Sequence, residues 1–450
     1  MSIVLRVGAA TADITPPVGY ALGGYGNRTG VSERVHTPLR AQVLVADDGL
    51  RPVAIAACDL LFATFDLTRL VREGVSAALG WQPDQVMVTA SHTHSGPAAL
   101  TLAQDRAYVE QVAARIAGAI AEAARDARPA SLRYAETTVT SVSQNRRDPD
   151  GPIEPTARIL AATAGRDPIT TLVSYACHAT VLEGDNLDIS PDFPGTAVSL
   201  VAGAVGGRAM YLQGCCGDIN PVWSSHDHAE AARIGSIVGL AAARAVRESA
   251  PLGHGQWVRN LSWSEDSPAD VDRADVVTPG PVGSASVTVT LPARELSGDE
   301  VDAELRDVTA ALDQPGADRR QLMPNRAALV MEALYARRAY PYALRDGRPA
   351  ERPESVEVQA LRIGPDLAVV GIPGEPFIQI ADEIRQRAGI RHLLVAGYAN
   401  EAIGYIPVAD EFPRRGYEVG CARYGPEAAA LLTDGAVRAL QAATAVQATG

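Results

Sequence analysis

The chain contains no lysine: all 40 basic residues among its 450 are arginine. A phosphate-binding P-loop, a protein-kinase site, a pyridoxal-phosphate Schiff base and a lysine nucleophile each need an amine at a fixed place, so all four are excluded. A GC-rich genome produces such a bias, and the exclusion holds whatever its cause. Cysteine is also scarce. Cys58, Cys177, Cys215, Cys216 and Cys421 are odd in number and show no CxxC spacing, which indicates neither a disulfide framework nor a zinc ribbon. No run approaches the roughly 20 apolar residues that span a bilayer, so no membrane span is expected. The start, MSIVLRVGAATADITPP, lacks the apolar stretch of a secretory signal, and a cytoplasmic protein is the expectation. A basic surplus is missing too: the net charge of −13 argues against a nucleic-acid partner. What is there is an ordinary globular composition, 47% hydrophobic and 21% charged, with ample core. A small-molecule substrate is the expected partner, with self-association left open.

Short apolar or alternating runs at Ala41 to Ala46, Val53 to Ala57, Gln85 to Thr89, Ile169 to Tyr175 and Ala209 to Leu212 predict strands. Ala-rich segments with helical spacing lie between them, at Ala63 to Leu79, Ala107 to Ala127 and His228 to Glu248. This alternation predicts an α/β fold, a single large domain over residues 1–450 with a mixed sheet flanked by helices. From Asp266 to Gly283 the chain turns polar and rich in Pro, Gly and Asp; the strand SASVTVTLPARE and two charged helical stretches follow, to about Arg345. Strand-like runs resume at Val356 to Ile363 and Leu367 to Ile372, so an insertion at about 266–345 is expected rather than a boundary. Pro426 to Ala443 predicts a closing amphipathic helix, and no sequence repeat is visible.

The eight histidines hold the chemistry, and they are unevenly spread. His92 and His94, in VTASHTHSGPA, follow the strand-like QVMVTA. On an extended backbone residues i and i+2 share a face, so both imidazoles are expected at one spot at a strand end, where α/β sheets bind ligands. A bare HxH is equally consistent with capping a turn. His178, in SYACHATVLE, also ends an apolar run, and alone it reads as a core histidine needing a partner. His226 and His228 sit where a polar loop meets a helix, with Ser225 and Asp227 as capping residues, and read as surface. His36, His254 and His392 have no patterned context. Glu375, in GIPGEPF, is placed at a loop-to-helix junction, where a lone Glu usually complements the helix dipole. Cys215 and Cys216, in LQGCCGDINP, offer a thiolate, although buried structural cysteine is the commoner role.

In order the chain reads VGAATADITPP, GGYGNR, DLLF, SHTHSGP, QNRRDP, CHATVL, LQGCCGDINP, PGEPF and GYIPVADEFPRRGYE. This series resembles the neutral/alkaline (non-lysosomal) ceramidase family, over Val7 to about Gly425. Each segment is weak alone; nine in the family's order are specific. Matched residue by residue, the resemblance implies zinc ligands at His92, His178, Glu375 and Tyr405. It also implies an arginine at Arg146 and a tyrosine at Tyr417 beside the metal. Two imidazoles, a carboxylate and a phenol suit Zn²⁺ and leave room for water. The expected nucleophile is then a water that the metal would activate. His94 is placed to carry the proton to the leaving amine, and Arg146 and Tyr417 to stabilise the oxyanion, with the adjacent Arg147 as alternative to Arg146.

The departures shape the expectation. Where ceramidases have Ser before Pro in a GD-V-S-P-N segment, this chain has Gly217, Asp218, Ile219, Asn220 and Pro221, so a serine mechanism is not expected. It also ends at Gly450 without the C-terminal β-sandwich domain of longer ceramidases, which resembles a catalytic-domain-only member and puts membrane ceramide in doubt as substrate. The expected function is zinc-dependent hydrolysis of an amide, N-acyl or lactam-like, in a small molecule. The alternatives are an esterase or lactonase at the same zinc centre, a zinc-stabilised binding protein without turnover, and a hydrolase using Cys215 or Cys216.

Overall fold

The computed structural model describes residues 3–98, 102–249, 273–294, 296–336, 344–345, 348–349 and 355–445. Its main elements form three units of the same topology. In the first, the strands Arg6–Asp13, Arg40–Asp47 and Val53–Cys58 pair antiparallel in succession. The helix Phe65–Leu79 crosses over, Val86–Ala90 returns parallel to Val53–Cys58, and the helix Leu102–Arg125 follows. The second unit repeats this with strands Ser131–Thr138, Thr156–Ala164 and Asp167–Tyr175, helix Phe193–Val205, parallel strand Arg208–Gln213 and helix His228–Ser249. The third has strands Val282–Thr290, Ser355–Ile363 and Leu367–Gly371, helix Ile378–Ala388, parallel strand His392–Ala396 and helix Ala428–Ala445. Arg128–Pro129 and Arg273–Val276 add short edges to the first two sheets.

The packing follows from the two-residue period of a strand, which sends alternate side chains to opposite faces. One face of each sheet meets the other two: Leu44, Ile55 and Met87 share a cluster with Leu132, Leu160 and Leu172 and with Leu361, Val369 and Leu394. The opposite faces are covered by each unit's own helices. Val43 and Ala54 pack with Val71 and Ile116 in the first unit. Ile159 and Val173 pack with Val201 and Val238 in the second, and Val358 and Val370 with Ile384 and Leu432 in the third. With both faces covered, these strands become nearly continuous apolar runs, which is how several were legible in the sequence. Helix limits obey local chemistry: Phe65–Leu79 starts where the Thr64 hydroxyl accepts from the Leu67 amide at 3.3 Å and stops at Gly80, with φ of 75°.

The α/β architecture with helices flanking mixed sheets is the expected one, and the mixed sheet occurs three times. The repeat is hidden in the sequence because the connections between first and second strands differ in length: 14–39, 139–155 and 291–354. The third holds the helices Gly298–Leu312 and Arg319–Ala336. SASVTVT, within the segment read as an insertion, pairs along its length with Ser355–Ile363 as an edge of the third sheet. Residues 250–272, including part of the polar stretch and His254, lie outside the described residues. The strand Arg6–Asp13 escaped the apolar-run criterion because RVGAATAD is mostly small residues. Gly8 explains the choice, since a Cβ there would meet the Ala123 carbonyl oxygen at 1.8 Å, and the covering helix lies that close.

Candidate metal centre

Each unit sends a loop from the carboxyl end of its parallel strand pair to a common point, the place where open α/β sheets bind ligands. The loop after Val86–Ala90 brings His92 and His94, that after Asp167–Tyr175 brings His178, and those after Leu367–Gly371 and His392–Ala396 bring Glu375 and Tyr398.

Backbone carbonyls fix the imidazoles. His92 Nδ1 donates to the Leu61 carbonyl at 2.8 Å and His178 Nδ1 to the Ile219 carbonyl at 3.1 Å, so in the neutral rings each Nε2 carries a bare lone pair. Both point at Glu375, whose Oε2 lies 3.2 Å from His92 Nε2 and 3.5 Å from His178 Nε2. His178 Nε2 and Glu375 Oε2 are buried with no hydrogen-bond partner. His94 Nε2 lies 3.2 Å from His92 Nε2, and its Nδ1 is likewise buried without a partner. The donor nitrogens of His92, His94 and His178 lie within 4.8 Å of one another and could hold a metal ion. Acceptors facing one another in a dry interior are costly unless a cation or a proton lies between them. The donor set, imidazole nitrogen and carboxylate oxygen, fits a borderline divalent metal such as zinc.

The charges follow from this crowding. Burial pushes His178 down to about 4, assisted by the Arg146 guanidinium. His94 is held well below its ordinary value by burial first, then by His92 and His178, and is neutral at pH 7. Burial favours protonation of Glu375, yet His92 and His178 outweigh it and keep the carboxyl far below the usual carboxylate range.

Tyr405 reaches the same point through a two-residue parallel ladder, Glu375–Pro376 with Tyr405–Ile406, in which Glu375 and Tyr405 are register partners. Its hydroxyl accepts from Arg146 Nη2 at 3.0 Å. Arg146 faces the site, and the neighbouring Arg147 turns away to Glu411, Glu418 and the Arg415 carbonyl. The Tyr417 ring lies 5.8 Å from that of Tyr405, and the residue is 44% exposed.

Some local expectations need correction. The strand stops at Ala90, and His92 has a left-handed φ of 62°. A turn therefore brings His92 and His94 together, in place of one extended face. Glu375 lies in a short strand ahead of the helix Ile378–Ala388, so dipole complementation does not explain it. His226 and His228 are held elsewhere, by Glu183 and Asp188, and Asp227 caps its helix through the Glu230 amide. All five cysteines are free and buried, and burial pushes the Cys215 thiol up to about 12. Sequence reasoning missed Tyr398, whose ring packs 4.2 Å from that of His92 and whose hydroxyl lies 3.3 Å from Cys216 Sγ. It also missed how GGYGNR holds His94: the Tyr25 ring lies edge-on at 4.7 Å, and Arg28 Nη1 donates to the His94 carbonyl at 2.7 Å. Only tertiary packing could have shown either.

Fold and site together define an α/β protein with a buried donor set suited to a divalent metal. Residues 5–214 match the family model described as neutral/alkaline non-lysosomal ceramidase, N-terminal. The neutral ceramidase of Pseudomonas aeruginosa is 35% identical over 81 residues, which are 16% of this chain and 12% of that relative. The crystal structure of neutral ceramidase from Pseudomonas aeruginosa superposes with a TM-score of 0.73 at 21% identity, covering 98% of this chain and 75% of that one. A ceramidase complexed with C2 superposes with a TM-score of 0.71 at 20% identity, covering 99% and 76%. Among the described residues no helix is long and apolar enough to cross a membrane.

Proposed function

We propose that this protein is a zinc-dependent amidohydrolase that cleaves an N-acyl or lactam-like amide of a small molecule. The observation that supports it most is the convergence of His92 Nε2, His178 Nε2 and Glu375 Oε2 on one buried point with no donor to satisfy the last two. These three residues would hold the ion, with the Tyr405 hydroxyl as fourth donor. When bound, the ion supplies a Lewis acid that polarises the acyl carbonyl and activates water.

The remaining work falls to the chain itself. His94, neutral and with an unpartnered Nδ1, takes a proton during attack and returns it to the departing amine. Arg146, whose Nη2 donates to the Tyr405 hydroxyl, and Tyr417, whose ring lies 5.8 Å from that of Tyr405, are the donors that stabilise the oxyanion in this reading, and such donors typically each contribute about 2.7–4 kcal/mol. Neither the segment read for a serine nor the cysteine beside it offers a good nucleophile. Asp218, in the segment that holds a serine in ceramidases, is committed to the Ile378 amide and Asn145, and Cys215 is not a thiolate at neutral pH. The match of residues 5–214 to a ceramidase family model supports an amide as the bond cleaved.

The test is metal analysis of purified protein, then turnover of an N-acyl amide panel with and without chelator. His92→Ala and Glu375→Gln should lose the metal. His94→Ala should keep it and lose about 10²–10⁴-fold in kcat. Loss of metal in His94→Ala would make His94 a ligand; full activity in it would place the proton carrier elsewhere. Protein that purifies without metal and turns over no amide refutes the proposal.

A further inference from the structure

Arg146 and Arg147 are consecutive, yet one faces the site and the other leaves it. The backbone alone does not hold them so. The Arg146 amide donates to the Asp218 carbonyl at 2.9 Å, and the Arg147 amide to Asn145 Oδ1 at 3.0 Å, which fixes the main chain but not the long side chains. Between the guanidinium groups stands one carboxylate. Glu418 accepts from Arg146 Nε at 2.6 Å through Oε1 and from Arg147 Nη1 at 2.5 Å through Oε2. It is 5% exposed, and burial is outweighed by Arg146 and Arg147, which keep its carboxyl below its ordinary value. With Nε so held, Arg146 directs Nη1 to Asn220 Oδ1 at 3.2 Å and Nη2 to the Tyr405 hydroxyl at 3.0 Å. Arg147 is drawn the other way, to Glu411 Oε2 at 2.9 Å.

We propose that Glu418 is the positioning residue of the site: by giving one oxygen to each guanidinium it divides the arginine pair and aims Arg146 at Tyr405. The reasoning turns on donor and acceptor counts. Arginine has only donors, a carboxylate offers two acceptor oxygens, and an amide offers one plus a competing donor. Glu418→Gln therefore leaves one oxygen for two guanidiniums, and the amide NH₂ meets whichever is left. Removing Arg147 as well frees that single oxygen for Arg146. Placing Arg147→Met and Glu418→Gln together also keeps the buried charge balanced between Arg146 and Glu411, so the pair is informative even if Glu418→Gln alone folds poorly.

The inference rests on the proposed role of Arg146 in turnover, and a structural readout separates the two. Expected are a kcat within about threefold of wild type for Arg147→Met and about 10²-fold lower for Glu418→Gln, the scale of a reacting group misplaced by about 1 Å. KM and metal content should hold steady, and Arg147→Met/Glu418→Gln should recover most of the kcat loss. Crystal structures should show Arg146 Nη2 separated from the Tyr405 hydroxyl in Glu418→Gln and returned to it in the double variant. Equal losses in Glu418→Gln and the double variant, or an unmoved Arg146 in Glu418→Gln, would overturn the proposal. If the wild type hydrolyses no amide, the proposed function fails while the crystal structures still decide the role of Glu418.

Discussion

Gly24→Ala tests whether His94 must stand where the structure puts it, without touching the imidazole. Gly24 has φ of 95°, and a Cβ there would lie 2.3 Å from His94 Cγ and 2.4 Å from His94 Nδ1. Ordinary contact begins near 3.4 Å. The ring must therefore retreat by about 1 Å, a displacement that can cost about 10²-fold when the group takes part in the reaction. Tyr25, edge-on at 4.7 Å, and Arg28, bonded to the His94 carbonyl, limit how it can move. Gly19 supplies the control: its φ is 101°, and a Cβ there would meet no heavy atom within 4 Å. Both substitutions carry the same backbone penalty, roughly 1–2 kcal/mol for a side chain forced to positive φ. Only Gly24→Ala adds the collision. Denaturant unfolding should show a loss of stability in both variants, larger in Gly24→Ala by the cost of the collision, about 1–3 kcal/mol, and metal content should be unchanged in both. The kcat for the amide substrate should fall about 10²-fold in Gly24→Ala and stay within about twofold in Gly19→Ala. Equal kcat in the two variants would refute the assigned position of His94 or its part in the reaction.

His178 gives a pH dependence whose sign is fixed. Its value is about 4 in the fold against 6.5 ordinarily, so between those limits its own contribution to the stability of metal-free protein rises with pH, while the buried carboxyls of Asp59, Asp192 and Asp218, raised to about 7, 6 and 6, contribute in the opposite direction. The contribution is complete near pH 6.5 and amounts to about 3 kcal/mol at ~1.4 kcal/mol per unit; urea titrations at pH 4.5 and 7 should show it as the difference between wild type and His178→Gln, and an equal pH dependence in the two would assign it elsewhere. Cys215 and Cys216 are buried and protonated, so replacing both with Ala should leave turnover within roughly tenfold, about 1.4 kcal/mol of barrier. A loss of several thousandfold in a folded, metal-loaded double variant would restore a cysteine mechanism.

Different physical signals made different parts legible. Strands covered on both faces, such as Val53–Cys58 and Arg208–Gln213, announced themselves as apolar runs, and helices such as His228–Ser249 by their spacing. Thr156–Ala164 and Phe193–Val205 escaped: TARILAATA is mixed in polarity, and FPGTAVSLVAGAV carries Pro and two Gly that usually mark turns. At the site, HxH spacing singled out His92 and His94 but for the wrong reason, because a turn at positive φ joins them. His178 and Glu375 had ordinary structural explanations taken singly. Only the order of motifs, through the family resemblance, drew them to one point.

That limit has a structural cause. The converging donors come from three separate units, His92 from the first, His178 from the second and Glu375 with Tyr405 from the third, and the connections between first and second strands differ too much in length from unit to unit for any sequence period to relate them. No single unit holds the set. The units that carry it are held together where the inner faces of the three sheets meet, around Ile55, Leu172 and Val369. A cation seated among these donors would therefore bind only to the state in which all three units are docked. By mass action its binding free energy then stabilises their mutual packing along with the loops it touches. The uncompensated acceptors of His178 and Glu375 are the counterpart: without a cation the same docking must bear their mutual desolvation, which places the cost of the site in the core interface that builds it.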